Sequence, residues 1–156
     1  MAPGGTLFGL LLALLLRLLP LPPGWLALSP DWLALLLLQG SLQAPGRVGI
    51  LTAWLFGLLA DALTGRLLGQ QALAYAVMVY LNLRLRSRLL GLPLPLQGLW
   101  VLLLLLLGQL LVLWTRPAEL AESVRAAYWL PALSGALAWP VLRALLRGPG
   151  TLAREP

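Results

Sequence analysis

The residue with the most obvious chemical potential in this sequence is Asp61, a carboxylate inside an otherwise apolar stretch. A charged group among leucine and alanine is costly and needs a partner or water, so an acid in this setting is a candidate functional group. It belongs to a series with a period of four residues: Gly57, Asp61, Gly65 and Gly69. Small residues on one helix face let another helix approach closely. We expect this series either to contact a partner protein or to pack helices within the chain.

The reagents of most enzyme classes are missing from the chain. It contains no cysteine and no histidine, which excludes thiol nucleophiles, thiolate and imidazole metal sites and the usual proton shuttle. The five acidic residues lie in separate contexts, and no phosphate-binding loop, nucleophile elbow or zinc-protease motif is present. The sequence predicts a protein that is not an enzyme and that binds no cofactor and no metal.

The composition is that of a membrane protein. Hydrophobic residues make up 60% of the 156 positions and charged residues only 10%, whereas about a quarter of a soluble domain is charged. The net charge of +6 comes from arginines that are scattered over short loops. This scatter is typical of membrane topology signals and does not indicate nucleic-acid binding.

Hydropathy and the placement of Pro and Gly predict one all-α membrane domain over residues 1–156. It would be a polytopic bundle of about six transmembrane helices, at 6–19, 29–44, 48–63, 67–83, 96–114 and 126–146. The second segment has the clearest start signal. Ser29 is placed to cap the helix, Pro30 suits its first position, and Asp31 and Trp32 follow at its positive end.

The arginines predict the orientation of the bundle. With both termini in the cytoplasm, seven arginines lie inside and three outside: Arg47, Arg84, Arg86, Arg88, Arg143, Arg147 and Arg154 against Arg66, Arg116 and Arg125. The positive-inside rule therefore favours an N-in, C-in topology. In this topology four tryptophans fall at the outer interface as an aromatic belt: Trp25, Trp32, Trp114 and Trp129.

Two further features concern the helix interiors. Counted from the cytoplasmic ends of their helices, Arg17 and Asp61 both lie ~17 to 20 Å deep, so they are a candidate intramembrane charge pair. The alternative is that Arg17 does not pair with Asp61 and instead extends its side chain to the outer membrane surface. Near the C-terminus, Trp139 and Pro140 predict a kink in the last helix.

The order of these features resembles the rod shape-determining protein MreD family of bacteria. The resemblance covers Leu7 to Leu146. It rests on Ser29-Pro30-Asp31-Trp32, Arg47 after a Pro-containing turn, the series from Gly57 to Gly69, Tyr75 and Tyr80, and Trp139-Pro140. The chain departs from the family pattern at Arg17, where a polar uncharged residue is expected.

The resemblance implies a non-catalytic scaffold of the cell-elongation complex in the bacterial inner membrane. Such a protein binds the bitopic membrane protein MreC, and through it MreB, the glycosyltransferase RodA and a class B penicillin-binding transpeptidase. Its other contacts are membrane lipids, and it supports side-wall peptidoglycan synthesis and rod shape. The implied fold is similar to the six-helix substrate-binding subunits of energy-coupling-factor transporters.

That similarity raises an alternative, a membrane subunit that binds a vitamin for transport. Such a subunit needs a cavity lined by polar or aromatic groups. The candidates on the outer half of the chain are Asp31, Trp32, Arg66 and Tyr128.

Overall fold

The computed structural model describes residues 3–19, 29–115 and 128–146. Within these ranges the chain forms seven helices and no strand, so the all-α prediction is confirmed. The helices are α1 (Pro3–Leu16), α2 (Trp32–Gln43), α3 (Ile50–Leu63), α4 (Gln70–Arg84), α5 (Arg86–Leu90), α6 (Leu94–Trp114) and α7 (Leu130–Leu146). Each of the six predicted segments overlaps one of the six longer helices.

Two local details differ from the sequence-based expectation. Asp31, and not Ser29, caps α2, because its side chain accepts a hydrogen bond from the Ala34 amide at 3.2 Å. The basic segment after α4 forms the short helix α5. Tertiary contacts hold that helix, since Arg86 Nε donates to the Leu42 carbonyl at 2.8 Å and Leu89 is buried.

The first four long helices alternate in direction along the chain. Arg17, just after α1, contacts Asp31 at the start of α2, so these two helices are antiparallel. Tyr75 and Asn82 of α4 bond to Asp31 and to the Leu38 carbonyl of α2, so α2 and α4 run parallel. We call the end of the bundle that carries Asp31 the Asp31 end and the other the opposite end.

The last two long helices continue this alternation. Trp100, early in α6, donates from its indole nitrogen to Asn82, late in α4. Gln109, late in α6, bonds to Tyr128, which directly precedes α7. Helix α6 is therefore antiparallel to both α4 and α7, and α7 begins at the Asp31 end.

The polarity of the helix faces is the reverse of that in a soluble protein. On α3, Leu51, Leu55 and Leu59 point outward, and Leu51 is 68% exposed. The opposite face buries Ala60 and the carboxylate of Asp61. Leucines on the outside and a charge on the inside are expected when lipid is the surrounding solvent.

One helix of the described residues, α6, is long and apolar enough to cross a membrane by length and composition. Its 21 residues span ~30 Å. The apolar helices Leu7–Leu16, Trp32–Gln43, Ile50–Leu63 and Leu130–Leu146 are shorter. In α7 the Trp139 side chain is fully buried in the core, and Pro140 lies inside the helix on its exposed side. The kink at this position stays a prediction.

Candidate functional site

The carboxylate of Asp61 caps the start of α4 from the neighbouring helix. Its side chain is fully buried. Its oxygens accept from the backbone amides of Gly69 at 2.9 Å and of Gln71 at 3.0 and 3.1 Å. The first amides of a helix lack partners within the helix and carry its positive dipole end, so a carboxylate is well suited to this place. Asp61 therefore fastens α4 to α3.

Gly57 lies one turn before Asp61 on the same face of α3, where the two helices meet backbone to backbone. A Cβ atom at Gly57 would lie 2.3 Å from the Cα and 2.6 Å from the nitrogen of Ala72. Any side chain larger than hydrogen would push the helices apart. This placement favours the packing alternative for the series, since contact of Gly57 or Asp61 with a partner would require α3 and α4 to separate.

The other two glycines shape the connection between α3 and α4. Gly65 follows the end of α3 with φ +63, and the Arg66 amide donates to the Asp61 carbonyl at 3.0 Å. These are the left-handed residue and the six-residue hydrogen bond of a Schellman motif. Gly69 precedes α4 with φ +102. Both positions favour glycine because a Cβ atom is strained at positive φ.

The predicted pair of Arg17 with Asp61 is replaced by a pair with Asp31. Arg17 Nη1 lies 3.4 Å from Asp31 Oδ2 and also donates to the Tyr75 hydroxyl. That hydroxyl donates to Asp31 Oδ2 at 2.6 Å. The backbone amides of α4 already occupy Asp61, and Asp31 lies at the level of Arg17. The Arg17 side chain is 22% exposed, and its extension to the outer membrane surface stays a prediction.

Gln71 links Arg17 to Asp61 indirectly. Its backbone amide donates to Asp61. With its side-chain oxygen facing the arginines, it accepts from Arg17 Nη2 at 3.0 Å and from Arg66 Nη1 at 3.1 Å. We call this connected set the polar cluster: Arg17, Asp31, Asp61, Arg66, Gln71 and Tyr75.

The polar cluster brings two positive charges close together. Because both guanidinium groups reach the same Gln71 oxygen, their bonded nitrogens lie within ~6 Å of each other. At an effective dielectric constant of ~20, two like charges at that distance repel by about 3 kcal/mol before solvent screening. Asp31 offsets the charge of Arg17. Within the described part of the chain, the guanidinium group of Arg66 contacts the neutral side-chain amide of Gln71.

Two cavities at the Asp31 end are walled by the polar cluster. The larger has a volume of about 390 Å³ and the smaller of about 110 Å³. Asp31 and Arg66 line both of them. Arg17 borders the larger cavity, and Tyr75 borders the smaller one. A concave wall of charged and hydroxyl groups can orient a polar ligand or a peptide segment. Within the described ranges, no group of three acids, histidines or cysteines could hold a metal ion.

Sequence reasoning missed the contribution of α4 to this site. Gln71 and Tyr75 are four residues apart and therefore share a face of the helix. Asn82 continues that face, where it donates to the Leu38 carbonyl at 3.0 Å and to Ser41 Oγ at 2.8 Å. This line of polar residues along one face of a predicted helix is the sequence feature that could have indicated the role of α4.

These features define a class of protein, a helical membrane protein with a cluster of charged and polar groups between its helices. A family model of the rod shape-determining protein MreD matches residues 5–148. The chain is also 32% identical over 139 residues to the rod shape-determining protein MreD of Haemophilus influenzae, covering 87% of this chain and 84% of that relative. No solved structure matches the chain. The chain belongs to the rod shape-determining protein MreD family, and its role is in the determination of rod cell shape.

Proposed function

We propose that this chain is a non-catalytic, multi-pass scaffold of the bacterial inner membrane that binds an MreC-like bitopic membrane protein. Through that partner it acts on MreB, RodA and a class B penicillin-binding transpeptidase, and so supports side-wall peptidoglycan synthesis. Family membership supports the role in cell shape. The cavities at the Asp31 end are the observation that carries the proposed binding.

The distribution of charge supports an orientation in which the Asp31 end faces outward. Within the described ranges, the opposite end carries five arginines and no acid: Arg47, Arg84, Arg86, Arg88 and Arg143. The Asp31 end carries Arg17 and Arg66 together with Asp31 and Asp61. Positive charge concentrates on the cytoplasmic side of membrane proteins, so the opposite end is the cytoplasmic one.

The alternation of helix direction supports six crossings of the membrane. The outward-facing leucines of α3 and α7 provide lipid-facing surfaces. Helices of 12 to 17 residues rise only ~18 to 26 Å, less than the ~30 Å of hydrocarbon. Short helices of this kind fit a bilayer that thins locally around the bundle. The tryptophans at the Asp31 end, among them Trp32 and Trp114, suit the outer interface.

The proposed contact surface is the pair of cavities rather than the series from Gly57 to Gly69. In that series, Gly57 packs against α4 within the α3–α4 hairpin, and Asp61 is fully buried there. The cavities instead present Arg17, Asp31 and Arg66 at a surface. A bitopic protein crosses the bilayer once, so the residues that flank its span on the outer side lie at the depth of these cavities.

Filling the larger cavity tests the proposal. Ser29 lines this cavity, and we expect Ser29→Trp to lower the yield of the complex when the chain is copurified with the MreC-like protein of the same genome. Ser87→Trp is the matched control, because Ser87 is exposed in α5 at the opposite end. Equal recovery of the partner with both variants would contradict binding in the cavity.

The volume of the larger cavity favours a second candidate, a vitamin-binding transporter subunit. About 390 Å³ falls within the ~300 to 1,000 Å³ range of small-molecule pockets. Equilibrium binding of water-soluble vitamins to the purified chain would support this candidate. Reading frames for MreB and MreC beside the gene would favour the scaffold, and a pair of transport ATPases would favour the carrier.

A further inference from the structure

We propose that Arg66 is the anion-recognition residue of the two cavities and that it binds a carboxylate side chain from the segment of the partner that flanks its membrane span. This inference rests on the proposed function. It adds the chemistry of the contact, namely an acidic residue on the partner side and Arg66 on this chain.

The first step is that the charge of Arg66 is not neutralised by the residues that the structure describes. The ion pair in these residues joins Arg17 to Asp31. The carboxylate of Asp61, the nearest acid in the sequence, is occupied by the backbone amides of Gly69 and Gln71. Among the described residues, Arg66 contacts the Asp61 carbonyl through its amide and the Gln71 side chain through its guanidinium group.

The second step is the position of Arg66. It is half-buried and lines both cavities, so an occupant of either one meets its guanidinium group. Among the described residues, the charged groups that line the cavities are Arg17, Arg66 and Asp31, so this lining has one more positive than negative group. The fully buried Asp61 carboxylate is not part of the lining. One carboxylate from a ligand would balance the additional positive group.

The third step is that the guanidinium group is already held in place. Gln71 orients it, and Asp61 holds the backbone of Gln71. A side chain that is ordered before binding loses less entropy when the complex forms. Arginine presents paired N–H donors that match the two oxygens of a carboxylate, so a fixed arginine selects an acidic side chain over a neutral one.

Charge reversal with rescue tests the inference. We expect Arg66→Glu to weaken binding of the MreC-like protein by about tenfold or more, because the acidic residue of the partner is then repelled. An Asp or Glu to Arg reversal in the outer flanking segment of the partner should restore binding to this variant. Arg88→Glu is the control, since Arg88 is exposed at the opposite end. It should bind as the unmodified chain does.

A neutral variant distinguishes loss of the Arg66 charge from misfolding of the chain. Arg66→Gln should elute as a single species in detergent and bind severalfold more weakly. Raising the salt from ~0.05 M to ~0.5 M should weaken binding of the unmodified chain more than binding of Arg66→Gln, because the screened ion pair is present only in the former.

Three results would overturn the inference. In the first, Arg66→Glu binds normally while Ser29→Trp does not, which rejects the role of Arg66 and leaves the cavity as the contact site. In the second, Glu119→Arg or Glu122→Arg within this chain rescues Arg66→Glu, which makes the ion pair internal. In the third, the unmodified chain does not bind the MreC-like protein at all, which rejects the proposed function as well.

Discussion

Substitution of Gly57 by alanine is the most direct test of how α3 and α4 are joined. The added Cβ atom would lie 2.3 Å from the Cα of Ala72 and 2.9 Å from the carbonyl carbon of Gln71. These are backbone atoms, which cannot move aside as the end of a flexible side chain can. The two helices must separate by about 1.3 Å to reach an ordinary carbon contact of ~3.6 Å.

That separation also affects Asp61, one turn further along α3. Its bonds to the amides of Gly69 and Gln71 are 2.9 to 3.1 Å long and would stretch to ~4 Å, beyond hydrogen-bond range. Overpacking of a tight contact costs about 1 to 3 kcal/mol, and loss of a hydrogen bond to a charged group about 1.5 to 3 kcal/mol. Because relaxation relieves part of each, we expect Gly57→Ala to lower the unfolding free energy by about 3 kcal/mol.

Thermal unfolding of the purified chain in a mild detergent measures this loss. One kcal/mol shifts the Tm of a chain of this size by about 2 to 4 °C, so Gly57→Ala should lower it by about 6 to 12 °C. Gly46→Ala is the matched control, because a Cβ atom there meets nothing within 4 Å. A Tm for Gly57→Ala equal to that of Gly46→Ala would refute the backbone contact between α3 and α4.

Three further predictions concern the polar groups of the bundle. Asp61→Asn should lower the unfolding free energy by about 2 kcal/mol, since a neutral amide caps α4 less well, and an unchanged Tm would argue against the cap. The double reversal Arg17→Asp with Asp31→Arg should retain more partner in copurification than the double reversal Arg17→Asp with Asp61→Arg. A higher yield with the second double variant would instead support the Arg17–Asp61 pair that depth predicts. Asn82→Leu should lower the unfolding free energy by about 1 kcal/mol while leaving partner binding intact, because the bonds it removes lie away from the cavities; a loss of binding with unchanged Tm would contradict this.

The helices themselves were predictable from the residues. Long leucine segments ended by Pro and Gly have the length and period of helices, and α6 follows its leucine run closely. The turn between α3 and α4 was also predictable, because Gly65 supplies the positive φ that ends a helix. Helix α5 was not, since its five residues are held by distant contacts rather than by local periodicity.

The sequence alone did not determine which charged side chains pair with each other. Depth along the membrane places Arg17 level with more than one acid, and only the packing of the helices selects Asp31. Likewise, the spacing of Gly57 and Asp61 shows that they share a face, but not that the face meets the first turn of α4. Hydropathy and helical period act along one chain segment at a time. The polar cluster joins side chains from four segments, so its geometry exists only once those segments have packed.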